Sequence, residues 1–303
     1  MLDSTCSGLP DKAAGDFPGP RNNSNPAAVK WHALWDLFTG AVAWHDITPA
    51  TTHDRKGFPP LRLLKGALVI FDLGYWDYHL FADLIAHNIR FLSRVRSDAI
   101  IEIAEVVRGL PSHLIGAGIG SISHGKTSVV EFIGSFGASG EVFKARVIGF
   151  WNDDSQEFHW YTTNLLAPAV LMYPLYRLRW QLELAFKASK GTLRLADFTS
   201  ANKRIIRNLI LTHIVAVLFT QTLGHQASKE MSDGQQAAVS VQRMAKVVVN
   251  VAAELVQFLL RGTSATCSTL LRKLELYASD LFDPNYRRRE TSMARVVRMC
   301  SEV

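Results

Sequence analysis

The run YRLRWQLELAFKASK carries four polar residues, Tyr176, Arg179, Glu183 and Lys190, at the spacing Y-x2-R-x3-E-x6-K. At about 100° per residue of α-helix these offsets fall within an arc of roughly 60°. Leu178, Leu182 and Ala185 fall on the other side, so the pattern predicts one amphipathic helix with its apolar face on a core. One carboxylate is then held among a phenol and two long cations on a single stripe. Such a stripe suits work on a phosphodiester, the acid binding a metal ion while the cations hold the backbone. Any one of the four taken alone is explained as well by a solvated surface position. The four-part spacing is what argues for a site.

Two acids upstream stand in matching contexts. The run ALVIFDLGYWD puts Asp72 directly after five apolar or small residues, which reads as a buried strand ending at its acid. The opening MLDST puts Asp3 behind an apolar residue. Plainer roles are a turn or N-terminal cap for Asp3, and for Asp72 a cap on the helix starting near Asp77.

Together the three segments resemble the DDE transposases of bacterial insertion sequences, in particular the insertion sequence four type with its YREK signature. MLDST matches that family's strand-one motif, an apolar residue followed by D-[GS]-T. DLGYWD resembles its D-R-G-Y-F-D motif, with Leu73 where arginine is usual. The motifs occur in the family's order, and the resemblance runs from Asp3 to about Leu223.

The resemblance implies an α/β fold with an RNase H-like mixed sheet and flanking helices. It also implies a β-rich insertion before the catalytic helix and a mostly helical C-terminal part. Expected boundaries are residues 1–97 for the first part of the core, 98–163 for the insertion, 164–225 for the second part with the YREK helix, and 226–303 for the helical end. The implied catalytic and metal-binding residues are Asp3, Asp72 and Glu183, with Mg²⁺ or Mn²⁺ as cofactor. Asp3 would bridge two ions about 3.5–4 Å apart, which together activate the attacking oxygen and stabilise the leaving one. Tyr176, Arg179 and Lys190 would contact DNA phosphates, positioning the strand without reading bases. The implied reaction is hydrolysis at the transposon end followed by strand transfer from the freed 3′-hydroxyl. The implied partners are terminal inverted repeats and target DNA, bound by a homodimer. A tryptophan of the insertion, Trp151 or Trp160, could stack on a flipped base, although core packing is the expected role of both. A DNA-binding remnant without catalysis is the alternative.

Only Met1 and Leu2 precede Asp3. A strand needs about five or six residues to pair well, so a first strand cut nearly at its acid is expected. The resemblance also leads one to expect a DNA-binding domain ahead of it, and the reading is of an N-terminally truncated core.

Composition agrees with a globular chain acting on a polyanion. The 303 residues are 48% hydrophobic and 20% charged, with a formal net charge of +6 and a pI near 9.3. That excess favours an acidic partner without requiring one. Cys6, Cys267 and Cys300 show no C-x-x-C spacing, which suggests a reducing, cytoplasmic setting with neither a zinc site nor a disulfide framework. The runs LILTHIVAVLF from Leu209 and VVVNVAAELVQFLL from Val247 fall short of the roughly 20 apolar residues of a membrane span.

Along the chain, CSGLPDKAAGDFPGPRNNSNPA reads as a polar loop, and VKWHALWDLF with GAVAWHDIT as two antiparallel strands joined at Thr39-Gly40. YHLFADLIAHN has helical spacing, and IRFLSRVR, EVFKARVIGFWN and EFHWYTTNL read as strands. The helical end closes on a basic stretch with Arg287, Arg288, Arg289, Arg295 and Arg298, either a solvated terminus or a contact for DNA or a partner. The pairs His45-Asp46 and His53-Asp54 lie in no recognised ligand spacing and read as hydrogen-bonding or surface residues.

Gly120–Thr127 reads GSISHGKT, a formal match to the phosphate-binding loop G-x4-G-K-[ST]. That loop works only between a buried strand and a helix whose N-terminus faces phosphate. Here glycine-rich sequence precedes it and the β-branched TSVVEFIGSFG follows, so a hairpin loop is expected rather than a P-loop nucleotidase. Calorimetry is expected to detect no ATP or GTP binding, and Lys126→Ala is expected to leave every DNA reaction unchanged. Micromolar nucleotide affinity lost in that variant would reverse the reading.

Overall fold

The computed structural model describes residues 1–20, 25–37, 39, 41–123, 127–137, 140, 142–191, 198–230, 241–277 and 298. The chain is mixed α/β and falls into two compact units. Met1–Asp3, His53–Arg179 and Ser292–Val303 make up the first, and Ser4–Thr52 with Trp180–Thr291 the second. Among the described residues no helix is long and apolar enough to cross a membrane.

In the first unit the start of β1 (Leu2–Gly8) pairs in parallel with β4 (Leu68–Phe71), Leu2 opposite Phe71. Strand β4 pairs in parallel with β5 (Arg90–Arg94), Phe71 opposite Ser93. Beyond β5 the ladder is antiparallel, through β9 (Glu157–Thr163), β8 (Phe143–Asn152), β7 (Val129–Phe136) and β6 (Ile101–Arg108). Two parallel strands need a crossover, and α1 (Tyr78–Ala86) supplies it between β4 and β5.

Helix α1 is closed at both ends by its own sequence. Asp77 Oδ1 accepts from Leu80 N at 2.8 Å, the N-cap bond worth about 1 kcal/mol. At the other end Asn88 takes a left-handed φ of 55°. Asn88 N donates to Ile85 O at 3.0 Å and Ile89 N to Leu84 O at 2.9 Å, the two bonds of a Schellman ending. Leu80, Phe81 and Leu84 are buried, and Phe81 meets Phe91 at 5.0 Å and Phe143 at 5.4 Å between ring centroids.

Arg146 of β8 anchors the exit from this sheet. Its Nε donates to Glu131 Oε1 of β7 at 2.5 Å, and its Nη1 donates to Leu165 O at 2.8 Å and Ala167 O at 2.5 Å. The Asn164 amide adds to the anchor, accepting from Phe91 N at 2.9 Å and donating to Ile89 O at 2.9 Å. The segment leaving β9 is thus held on both sides before it enters α2 (Met172–Arg177).

The second unit contains β1 beyond Asp3, β2 (Ala28–Trp35) and β3 (Val42–Pro49), in the order β3-β2-β1. Strands β2 and β3 are antiparallel, as their alternation predicts. Val29, Trp31, Ala33 and Trp35 of β2 bury against Leu182, Ala185 and Phe186 of α3 (Trp180–Gly191). They also bury against Ile206, Ile210, Ile214 and Val217 of α4 (Lys203–Glu230). That last set recurs at helical spacing, giving α4 one apolar stripe. Helices α5 (Val241–Asn250), α6 (Ala252–Arg261) and α7 (Ser264–Tyr277) follow.

Several expectations are corrected. The polar run after Asp3 is strand as far as Gly8, with Phe17 buried further on, so β1 runs on past its acid. The YREK run is not one helix. Leu178 and Arg179 form a turn closed by Leu178 N to Leu175 O at 3.1 Å and Arg179 N to Tyr176 O at 3.0 Å. The expected single helix is therefore interrupted at Leu178 and Arg179, where i→i−3 bonds stand in place of i→i−4 ones. Ile119–Ser121 is a short 3₁₀ turn between the antiparallel β6 and β7. A strand, β7, follows the GSISHGKT run where a phosphate-binding loop needs a helix, and His124–Lys126 lie outside the described residues. So does the basic stretch 287–295.

Arg146→Met is expected to lower the unfolding free energy by about 3 kcal/mol, because Glu131 and two carbonyls lose their donor. Adding Glu131→Leu in the same chain is expected to recover part of that loss. Denaturant titration followed by tryptophan fluorescence reads both.

Candidate functional site

The parallel register brings unlike charges together. One residue beyond the Leu2–Phe71 pair stand Asp3 and Asp72, and one residue beyond the Phe71–Ser93 pair stand Asp72 and Arg94. Asp3, Asp72 and Arg94 therefore form one row across three neighbouring strands, which lie about 4.8 Å apart in a sheet. For β4 and β5 this is the carboxyl end, where open α/β sheets place their ligands.

Arg179 closes on this row from the turn after α2. Its Nη1 donates to Asp3 Oδ2 at 2.6 Å, and the two side chains are only 14% and 12% exposed. The guanidinium also lies 5.7 Å from the Tyr176 ring centroid. Tyr176 is buried and packs edge-on against Tyr161 of β9, 5.3 Å between centroids. Burial foremost pushes the Tyr176 phenol up to about 12, with the Asp72 charge adding to the rise and Arg179 and Arg94 opposing it. At neutral pH Tyr176 is thus a hydroxyl donor, not a phenolate. Burial likewise raises Tyr161.

Asp72 does not serve as a helix cap. It precedes the short 3₁₀ turn Leu73–Tyr75 without a side-chain capping bond, and Asp77 caps α1 instead. Asp3 is neither a turn residue nor a cap, since it lies within β1.

Glu183 and Lys190 lie on α3, in the second unit, seven residues apart and each half-buried. Glu183 occupies the first turn of α3, where the helix dipole favours an anion. Burial lowers the Lys190 ammonium, and Cys6 of β1 opposes that shift. The first unit thus gathers Asp3, Asp72, Tyr176 and Arg179, while α3 carries the other two. Among the described residues no group of three or more His, Cys, Asp or Glu side chains is placed to hold a metal ion.

Sequence reasoning missed Arg94. Its signal was present in IRFLSRVR, a strand ending on a cation just after the Asp72 strand, but only the pairing of β4 with β5 puts it beside the acid. Arg94 Nε is buried without a hydrogen-bond partner. The side chain also lines a cleft of about 620 Å³ with Leu73, Arg96, Trp151, Phe158 and Trp160. Both tryptophans are half-buried on that wall, and Trp160 also packs edge-on against the buried Phe132, 6.0 Å between centroids. Trp160 lies over Gly149, its register partner, where an added Cβ would come within 2.3 Å of the ring. A glycine is therefore what lets the indole lie flat on β8. Of the His-Asp pairs, His53 Nδ1 accepts from Arg55 N at 3.2 Å and Asp46 Oδ1 from Ile47 N at 2.8 Å, whereas His45 Nδ1 is buried without a hydrogen-bond partner.

The family model described as a transposase DDE domain matches residues 1–219. Protein y4zB of Sinorhizobium fredii, named as a transposase, is 24% identical over 196 residues, covering 65% of this chain and 53% of that protein. The transposase for insertion sequence element IS1151 of Clostridium perfringens is 22% identical over 263 residues, covering 73% of this chain and 56% of that protein. The chain therefore spans little more than half the length of these relatives. The cryo-EM structure of the piggyBac transposase synaptic complex with hairpin DNA superimposes with a TM-score of 0.48 and 12% identity, covering 97% of this chain and 59% of that one. With the family model matching well over half of its residues, this chain belongs to the transposase DDE domain family.

Proposed function

We propose that the chain is the catalytic part of an insertion-sequence transposase that cleaves DNA strands at element ends and transfers them to a target. The observation that carries the reading is the register-matched row of Asp3, Asp72 and Arg94, closed by Arg179 and Tyr176. Paired carboxylates beside two guanidiniums suit a phosphodiester, whose charge the cations hold while the acids act at the reacting phosphorus.

The donor set fits the divalent metals that DDE transposases generally use. Asp3 and Asp72 offer hard carboxylate oxygens from neighbouring strands, the type of ligand that Mg²⁺ and Mn²⁺ prefer. Glu183 is the proposed third carboxylate. When bound, such ions supply activation of the attacking oxygen and stabilisation of the leaving one. Arg179 orients the Asp3 carboxylate and balances its charge. Tyr176 presents a neutral hydroxyl to a phosphate oxygen, and Lys190 adds a cation from α3.

The family match and the YREK spacing support assignment to the insertion sequence four type, with an RNase H-like core, a β-rich insertion over 98–163 and a helical end from 226. The half-buried Trp151 and Trp160, beside Arg94 and Arg96, support a stacking surface for an extruded base. Double-stranded DNA is the proposed partner, with a homodimer acting on paired ends in the cytoplasm. Both relatives named as transposases support the DNA partner.

Asp72→Asn and Glu183→Gln are each expected to cut strand cleavage by at least about 1,000-fold, near 4 kcal/mol of barrier, while DNA binding stays within about threefold. Metal-dependent nicking of supercoiled plasmid measures the first and anisotropy the second. Near-normal cleavage by Glu183→Gln would remove that residue from the site.

Arg179→Ala is expected to do more than weaken DNA binding. It removes the guanidinium bonded to the buried Asp3 carboxylate, so a stability loss of about 3 kcal/mol is expected by thermal denaturation. Lys190→Ala is expected to lower the salt slope of binding by up to about one unit with little stability change.

A further inference from the structure

Helices α5, α6 and α7 lie beyond residues 1–219, and nothing in the proposed chemistry uses them. Val247, Val251 and Leu270 bury together, with Leu255, Phe258, Leu274 and Tyr277 packed against them. That small core joins residues of α5 and α7, and Tyr277 packs against it. Arg243, Lys246 and Asn250 stand three and four residues apart on α5, so they share the helix face that borders Val247. With Val247 and Tyr277 they line a cleft of about 300 Å³.

Among the described residues its polar lining is two cations, an amide and a phenol, with no carboxylate. Over Val241–Tyr277 the sequence carries five basic residues (Arg243, Lys246, Arg261, Arg272, Lys273) against two acidic ones, Glu254 and Glu275. Glu254 is already bound, its Oε1 2.6 Å from Lys273 Nζ. Lys246 is exposed, and among the described residues no carboxylate pairs with it. A concave site rich in donors, inside a segment of net positive charge, selects an anion. Its open position on helix surfaces suits a phosphate carried on a chain more than a small ion enclosed on all sides.

We infer that the α5–α7 cleft is a phosphodiester-binding site, at which Arg243 and Lys246 hold the backbone of duplex DNA. Tyr277 and Asn250 supply hydrogen bonds to the phosphate oxygens, and the contact carries no base preference. The inference rests on the proposed DNA-acting function and adds a second contact surface to it.

The test uses the full chain, as wild type, as Lys246→Gln and as Arg243→Gln/Lys246→Gln, with a 30-base-pair duplex of arbitrary sequence. Affinity is measured against salt by fluorescence anisotropy, with circular dichroism melting to check folding. Each lost cation is expected to reduce the slope of log affinity on log salt by about 0.9, so the double variant loses up to about two units. Loss is expected to be equal for duplexes of different sequence. A folded double variant with an unchanged slope overturns the inference and leaves the proposed function standing. Failure of the wild type to bind any duplex overturns both. Inorganic phosphate is titrated alone by calorimetry. A dissociation constant below about 1 mM that is lost in the double variant would make this a free-anion site and overturn the DNA assignment. Should the double variant unfold, the slope of Lys246→Gln decides, since Lys246 is exposed.

Discussion

The pairing of β4 with its two parallel neighbours is the constraint on which the candidate site depends. Parallel strands in register carry side chains of equal position to the same end of the sheet, so Leu2–Phe71 and Phe71–Ser93 commit the next residues to one row. Asp3, Asp72 and Arg94 are far apart in sequence and adjacent through this register alone. A slip of one residue in either pair would turn one acid to the opposite face of the sheet. The row is thus only as firm as the burial of Leu2, Ile70 and Phe71, which are all in the core.

Two half-buried guanidiniums serve this row in different ways. Arg179 is bound to Asp3 by a short charge-assisted hydrogen bond, in surroundings dry enough for the pair to be strongly coupled. Arg94 reaches the row along its own strand and also borders the aromatic cleft. The row thereby links the paired acids to a surface able to stack and to hold phosphate. The Arg146 clamp serves the same end from further off, because it fixes the chain leaving β9 just before α2 delivers Tyr176.

The helical residues beyond 219 are built on a different principle. Their core is small, and several apolar side chains stay exposed, Leu259 and Leu260 of α6 at 70% and 80%. Stability there comes from short helices covering one another, with the Lys273–Glu254 pair spanning α6 and α7.

Local pattern by itself determined much of this chain. Strands with alternating or continuous apolar runs, such as Ala28–Trp35 and Leu68–Phe71, follow from side-chain periodicity, as does the apolar stripe of α4. The candidate acids Asp3, Asp72 and Glu183 were legible because each stands in a motif of fixed spacing. The turn at Leu178 and Arg179 was not, since leucine and arginine are good helix formers and nothing local breaks the run. Tertiary structure alone decided that Arg179 binds Asp3, 176 residues away, that Arg94 stands beside Asp72, and that Trp151 and Trp160 line a cleft. Periodicity tells which face of an element is buried, but strand register and the docking of one element on another choose which charges meet. Those choices are made by long-range packing, and short stretches of sequence do not carry them.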